Sequence, residues 1–220
     1  MTVPAAFSTV PAGLRELLAL ASEAALAAGR LHRRSRSRTL RLATKSSPTD
    51  LVSQVDREAE ELIVAMLLGA RPHDAILAEE GAAESGSSGV RWLVDPLDGT
   101  TNFVYGYPGT AVSIAAEVDG RPAVGVVYDS TAGRLYQGVA AVATCDGRPL
   151  RTRRPDGLAT ALAATGFGYS PALRRRQAAT FARLADRIRD IRRGGSAALD
   201  LCHLAAGRVD LFWERGLAPW

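Results

Sequence analysis

The hydrophobic period of this chain changes part-way along it, and few folds accommodate both halves. Over residues 13 to about 32, Leu14, Leu17, Leu18, Ala21, Ala25 and Ala28 recur at intervals of three and four. That spacing predicts an amphipathic helix with Arg15, Glu16 and Glu23 outward. A second helix is predicted from 56 to about 68, with acidic residues in its first turn and Leu62, Ile63, Met66 and Leu67 on the buried face. The apolar runs then shorten. Residues 75–78, 92–94, 110–118, 123–128 and 134–140 have strand composition, with a Gly/Ser-rich loop at 85–89 and turns at Asp119-Gly120 and around Gly133. A further amphipathic stretch at 171–186, a strand at 189–192, a short helix at 196–206 and a strand at 209–213 complete the pattern. Helices and strands in alternating blocks predict a layered α/β (α+β) sandwich with a mixed sheet. Residues 1–12, with Pro4 and Pro11 bracketing small residues, are expected to form a flexible leader, and 43–50 a polar loop.

Composition narrows the class of function. Hydrophobic residues make up 47% and charged residues 23% of 220, which excludes global disorder. The net charge of +4 is a modest excess, and Lys45 is the only lysine among 27 basic residues. The run Arg33, Arg34, Arg36, Arg38 has no interleaved aromatics and no helix-turn-helix, zinc-finger or RNA-binding signature beside it, so it reads as a solvated helix end. His32 and His73, near helix and loop ends, read as surface residues, and His203 as a packed residue in a Leu/Ala helix. Cys145 and Cys202 are too few for a disulfide framework or a zinc site, which points to a reducing compartment. The first apolar stretch is broken by Glu23, and no run approaches the roughly 18 residues of a membrane span. A cytoplasmic protein without a membrane partner is expected.

The segment Trp92-Leu93-Val94-Asp95-Pro96-Leu97-Asp98-Gly99-Thr100-Thr101-Asn102-Phe103 carries the most chemistry. A buried strand delivers Asp95 at its end, and Pro96 bends the chain so that Asp98 can face the same point. Two carboxylates that close repel unless a cation lies between them, which favours a hard divalent metal. The turn can leave the Leu97 carbonyl free as a further oxygen ligand. Gly99 admits close approach, and the amides of Gly99, Thr100 and Thr101 can form an anion cradle. The competing reading, an Asx-turn and helix cap, accounts for one aspartate but not for both together with Gly-Thr-Thr. Upstream, Glu79 and Glu80 end a strand; on their own they read as a solvent-exposed acidic strand end, and alternation lets only one of them face the site. Asp50 and Asp56 flank a helix start, and from the residues alone they read as capping residues rather than site residues. Ser196 after Gly-Gly has no histidine placed to activate it and no nucleophile-elbow pattern around it, so it is not read as a nucleophile.

Taken in order, KSSPTDLVSQVD, ILAEEG, DPLDGTTNF, ATGFGY, RRGGSAALDLCHLAAGRVD and ERGLAPW resemble the inositol monophosphatase family of magnesium-dependent, lithium-sensitive sugar-phosphate phosphatases, over about residues 13–220. The resemblance implies hydrolysis of inositol 1-phosphate, or a similar polyol monophosphate, by a metal-activated water. It implies two or three Mg²⁺ ions. Glu79, Asp95 and the Leu97 carbonyl would hold the first, with Glu80 turned away, and Asp95 and Asp98 would share the second. Asp56 and Thr100 would orient and deprotonate the water, and Gly99, Thr100 and Thr101 would cradle the phosphate. Gly195, Ser196 and Ala197, with Glu214, would hold the sugar hydroxyls, and Lys45 would lie on a loop closing over the metals. The phosphatase domain would then comprise a metal- and phosphate-binding part at 13–140 and an incomplete substrate part at 141–220. A homodimer is also implied.

The sequence departs from the family pattern at Trp220, after which the family places the aspartate that completes the second metal site. Ser53 stands where the family more often has Thr. Two alternatives therefore stay open: an impaired or non-catalytic form of the same fold acting as a binding or regulatory module, and a phosphatase for histidinol phosphate or fructose 1,6-bisphosphate. Some family members also work with the transcription machinery, which leaves a nucleic-acid or transcription contact open.

Overall fold

A computed structural model describes residues 4–36, 42–44 and 51–220. Two helices open the fold, α1 (Ala12–Ser35) and α2 (Gln54–Ala70), separated by the antiparallel pair β1 (Leu42–Thr44) and β2 (Leu51–Ser53). Then come β3 (Ala75–Ala78), β4 (Ala83–Glu84), β5 (Val90–Asp98) and the short helix α3 (Thr100–Val104). A meander follows: β6 (Ala111–Val118), β7 (Arg121–Asp129), β8 (Arg134–Val139), β9 (Val142–Cys145) and β10 (Arg148–Pro149). The chain ends in β11 (Leu162–Thr165), α4 (Pro171–Ala182), β12 (Asp190–Arg192), α5 (Ala197–Ala205) and β13 (Leu211–Trp213).

Eight strands form one mixed sheet in the order β10-β9-β8-β7-β6-β5-β3-β4, in which only the β3–β5 pair is parallel. Three strands form a parallel sheet, β12-β11-β13. Strand alternation decides which side of the large sheet is covered. Trp92 and Val94 of β5, Val112 and Ile114 of β6, and Val124 and Val126 of β7 are buried in one core with Leu17, Leu18, Ala21 and Ala25 of α1 and Ile63 and Leu67 of α2. On the other side α5 packs against β6 and β7 and also against β11 and β13, so it lies between the two sheets. The expected layered α/β architecture is the one found.

Three expectations are corrected by burial and pairing. Residues 4–10 do not fray: a 3₁₀ turn at Ala5–Phe7 places Phe7, fully buried, and Val10 in the main core. His32 is not a surface residue but fully buried. The boundary drawn at 140 between the two parts falls inside the large sheet, which the β9–β10 hairpin extends to Pro149. Among the described residues no helix is long and apolar enough to cross a membrane.

Candidate functional site

The irregular end of β5 positions the central carboxylates. Asp95 pairs with Ser113 of β6, but Asp98 pairs with Ala111, one register step out of line. In a regular strand residues three apart point to opposite faces. The extra residue forms a bulge at Pro96-Leu97, where proline has no N–H to give to the ladder, and it returns Asp98 to the side of Asp95. Gly99 follows with φ of 90°, and a Cβ there would lie 2.6 Å from the Gly109 carbonyl oxygen. The chain then turns into α3. On β3, Ile76 and Ala78 face the core, so the next residue of opposite parity, Glu79, faces the aspartates. The amide of Glu80 donates to Glu60 Oε2 at 2.7 Å and that of Ala82 to Glu60 Oε1 at 3.0 Å, which ties the loop after β3 to α2.

These residues open onto a cavity of about 730 Å³ between the large sheet, α5 and the small sheet. Of the residues singled out from the sequence, Glu79, Asp95, Leu97, Asp98, Gly99 and Thr100 lie in its wall on one side. Gly195, Ser196, Ala197 and Glu214 lie in it on the other. Asp56 stands behind Thr100, whose hydroxyl lies 2.8 Å from Asp56 Oδ1 and 3.1 Å from the Leu97 carbonyl oxygen. Asp56 Oδ2 meanwhile accepts from the Ser53 amide at 2.9 Å and from the Ser53 hydroxyl, completing a capping box at the start of α2. The capping and the functional readings of Asp56 thus use different oxygens of one carboxylate. Thr101 is exposed and outside the cavity wall. Lys45 and Asp50 lie outside the described residues.

The start of α5 is committed elsewhere than the sequence suggests. Ser196 Oγ donates to Asp98 Oδ2 at 2.7 Å, and the Ala198 amide donates to the same oxygen at 2.8 Å. Asp98 therefore sits at the N-terminal end of α5, where a negative charge is favoured. Asn102 adds a second tie, its side-chain amide donating to Gly109 O at 2.8 Å and Gly194 O at 2.9 Å. Among the wall and support residues given no role from the sequence are Asp200, Arg193, Glu60 and Asn102. Only Asp200 carried a signal, a lone carboxylate in the apolar run AALDLC.

Charge is the unusual property of this wall. Burial first, then repulsion from Asp98 and Glu79, pushes Asp95 well above the usual carboxylate range. Burial raises Asp98 as well, against the hydrogen bonds from Ser196 and Ala198. Asp200 is pushed up to about 7 by burial, Asp98 and Glu214, with Arg193 opposing. Glu214 is raised mainly by burial. Among the described residues no three His, Cys, Asp or Glu side chains enclose a ready metal site. Glu79, Asp95 and Asp98 share one wall of the cavity with Leu97, whose carbonyl is an oxygen of the same hard donor type. Buried oxygens that repel one another, with a hydrogen bond shared between Asp95 and Glu79, fit a hard divalent cation by charge and donor type.

A layered α/β fold with facing carboxylates at a bulged strand end, opening onto a cavity between two sheets, defines a cation-seeking acidic site. A sequence profile of the inositol monophosphatase family matches residues 13–220, and the chain belongs to that family. It is 47% identical over 186 residues to the protein of Mycobacterium bovis named inositol-1-monophosphatase, covering 80% of this chain and 64% of that one. It is 42% identical over 180 residues to the Nus factor SuhB of Pasteurella multocida, covering 80% and 67%. The crystal structure of extragenic suppressor protein suhB from Bartonella henselae superposes with a TM-score of 0.88 at 37% identity, covering 93% of this chain and 80% of that one. The chain thus spans less than two thirds of the length of the M. bovis relative.

Proposed function

We propose that the protein is a magnesium-dependent phosphomonoesterase that hydrolyses inositol 1-phosphate, or a closely similar polyol monophosphate, to the free polyol and phosphate. The observation that carries this reading is the convergence on one cavity of Glu79, Asp95 and Asp98 with the hydrogen-bonded Thr100–Asp56 pair. Glu79, Asp95 and the Leu97 carbonyl would hold one cation, and Asp95 with Asp98 a second. When bound, such ions neutralise the dianionic ester and lower the pKa of a water.

The chain's own groups do the rest. Thr100 is a weak base alone, but its hydroxyl proton is directed at Asp56 Oδ1, 2.8 Å away, which leaves the oxygen's lone pairs free to accept a proton from water. The Ser53 amide on the other oxygen holds the Asp56 carboxylate in that orientation. Gly99, Thr100 and Thr101 would offer amides to the phosphate. Glu214, an acceptor for adjacent hydroxyls, would orient the polyol. Ser196 and the α5 amide of Ala198 act on Asp98 instead, so the approach of the polyol to Gly195 and Ala197 is set indirectly. A homodimer in the cytoplasm is part of the same reading. A second reading, contact with the transcription machinery, rests on the relative named as a Nus factor.

The test is phosphate release from inositol 1-phosphate by this 220-residue chain with Mg²⁺, with Asp95→Asn as control. Turnover abolished by the substitution supports the reading. A folded chain that releases no phosphate from inositol 1-phosphate or other polyol phosphates overturns it.

A further inference from the structure

On the wall of the cavity opposite Asp95, three charged side chains lie against bare backbone. A Cβ on Gly194 would come within 2.8 Å of Asp200 Oδ1, and one on Gly195 within 2.7 Å of Arg193 Nη1. One on Gly166 would fall on the Glu214 carboxylate. Gly166 and Glu214 are neighbours across the small sheet, one step beyond the paired Thr165 and Trp213. A side chain at any of these glycines would displace the charged group beside it. Asp200, Arg193 and Glu214 all line the cavity.

The chain leaves these groups without partners. Asp200 is only 4% exposed, yet among the described residues neither of its oxygens accepts a hydrogen bond. Its place in the first turn of α5 does not make it a cap, because the Ala198 amide goes to Asp98 and the Leu199 amide to Ser196 Oγ. Among the described residues Glu214 accepts no hydrogen bond either, and Arg193 forms an ion pair with neither carboxylate.

Two acceptors and one donor on a single wall describe their ligand. A second phosphate would meet two carboxylates, and an ammonium group would leave Arg193 unpaired. An apolar alcohol would leave all three unpaired. A hydroxyl both donates and accepts, so hydroxyls on neighbouring carbons satisfy the whole set. Asp200 offers them an acceptor oxygen whether it is ionised or protonated.

We propose that Asp200 and Arg193 are specificity-determining residues that read the polyol together with Glu214, Asp200 accepting from one hydroxyl and Arg193 donating to another. The inference rests on the phosphatase reading given above and adds what selects the alcohol part of the ester.

The test is a ratio. The kcat/KM of the 220-residue chain with Mg²⁺ is measured for inositol 1-phosphate and for phenyl phosphate, which carries the same phosphate and no hydroxyls. The wild type is expected to prefer inositol 1-phosphate. Asp200→Ala and Arg193→Met are each expected to lower that preference about ten- to hundredfold, the range for one hydrogen bond to a charged group. Asp200→Asn, which keeps a side-chain carbonyl, is expected to recover most of the loss. Residues that merely support the wall would slow both esters alike, and an unchanged ratio would overturn the proposal. A wild type without any preference would also overturn it while leaving the phosphatase reading intact. No phosphate from any ester would sink that reading and this one with it. A second measurement needs no turnover: saturation-transfer NMR of myo-inositol with the chain and Mg²⁺. A signal lost in Asp200→Ala and kept in Asp200→Asn supports the proposal. Equal signals in wild type and Asp200→Ala overturn it, even should Arg193→Met fail to fold.

Discussion

Each oxygen of Asp56 has separate work, Oδ2 with Ser53 at the start of α2 and Oδ1 with Thr100 at the cavity wall. The two roles can be separated by substitution. Ser53→Ala removes the cap alone and should cost about 1 kcal/mol of stability in urea unfolding, leaving kcat within severalfold. Asp56→Asn should cost a similar amount and also reduce kcat by roughly 10²–10⁴, because the proton path from Thr100 is lost. His32 gives a pH signature instead. Its folded pKa of about 4 lies below the unfolded 6.5, so the unfolded chain binds more protons between those values. The full stability is present above pH 6.5 and is lost as pH falls toward 4, by roughly 3 kcal/mol in total. His32→Phe should flatten that part of the acid limb in denaturation curves run from pH 7 to 4. Sequence position alone made His32 look like a residue at an exposed helix end. Its burial depends on Ser130 and Phe103, which are remote in the chain and carry no local sign of it. Strand alternation, which is local, narrowed the choice to one of Glu79 and Glu80, and the family resemblance chose Glu79, whereas Glu60, which braces the loop behind it from α2, was not legible.

At the scale of elements, the contact of α1 with β7 is close enough to exclude a methyl group. A Cβ on Gly29 would fall 2.2 Å from a ring carbon of Tyr128, whose hydroxyl is held by Arg33 at 2.7 Å. Gly29→Ala gains about 1 kcal/mol in helix propensity but overpacks a ring that cannot move freely, a cost of about 1–3 kcal/mol or more. The overpacking should win, and the urea midpoint should fall. The long helices and the central strands were legible because their periods are unambiguous. The β9–β10 hairpin was overlooked although Asp146-Gly147, both with positive φ, is a two-residue hairpin turn of the favoured kind. Strands of four and two residues flanked by polar positions give too little alternation to be noticed without it. The bulge in β5 was half legible: Pro96 announced a bend, but the register slip that brings Asp98 back to the side of Asp95 is a property of the pairing with β6.

At the scale of the molecule, the site lies along the seam between the two sheets. Asp98 of the large sheet holds the start of α5, and Asn102 holds the Gly194 carbonyl. A cation bound by Asp95 and Asp98 would relieve repulsion that the folded state alone contains. Mg²⁺ at a hundred times its dissociation constant should therefore add about 2.7 kcal/mol to stability, seen as a higher midpoint in thermal unfolding, and Asp95→Asn should abolish the increment. Asn102→Ala should leave most of the fold intact but raise amide hydrogen exchange in α5, since the tie between the sheets is weakened there. Because Asp98 belongs at once to the seam and to the wall, parting the sheets and emptying the site become one motion. Turnover limited by that motion would be a rate of opening rather than a rate of bond cleavage, and it would slow as the solvent is made more viscous.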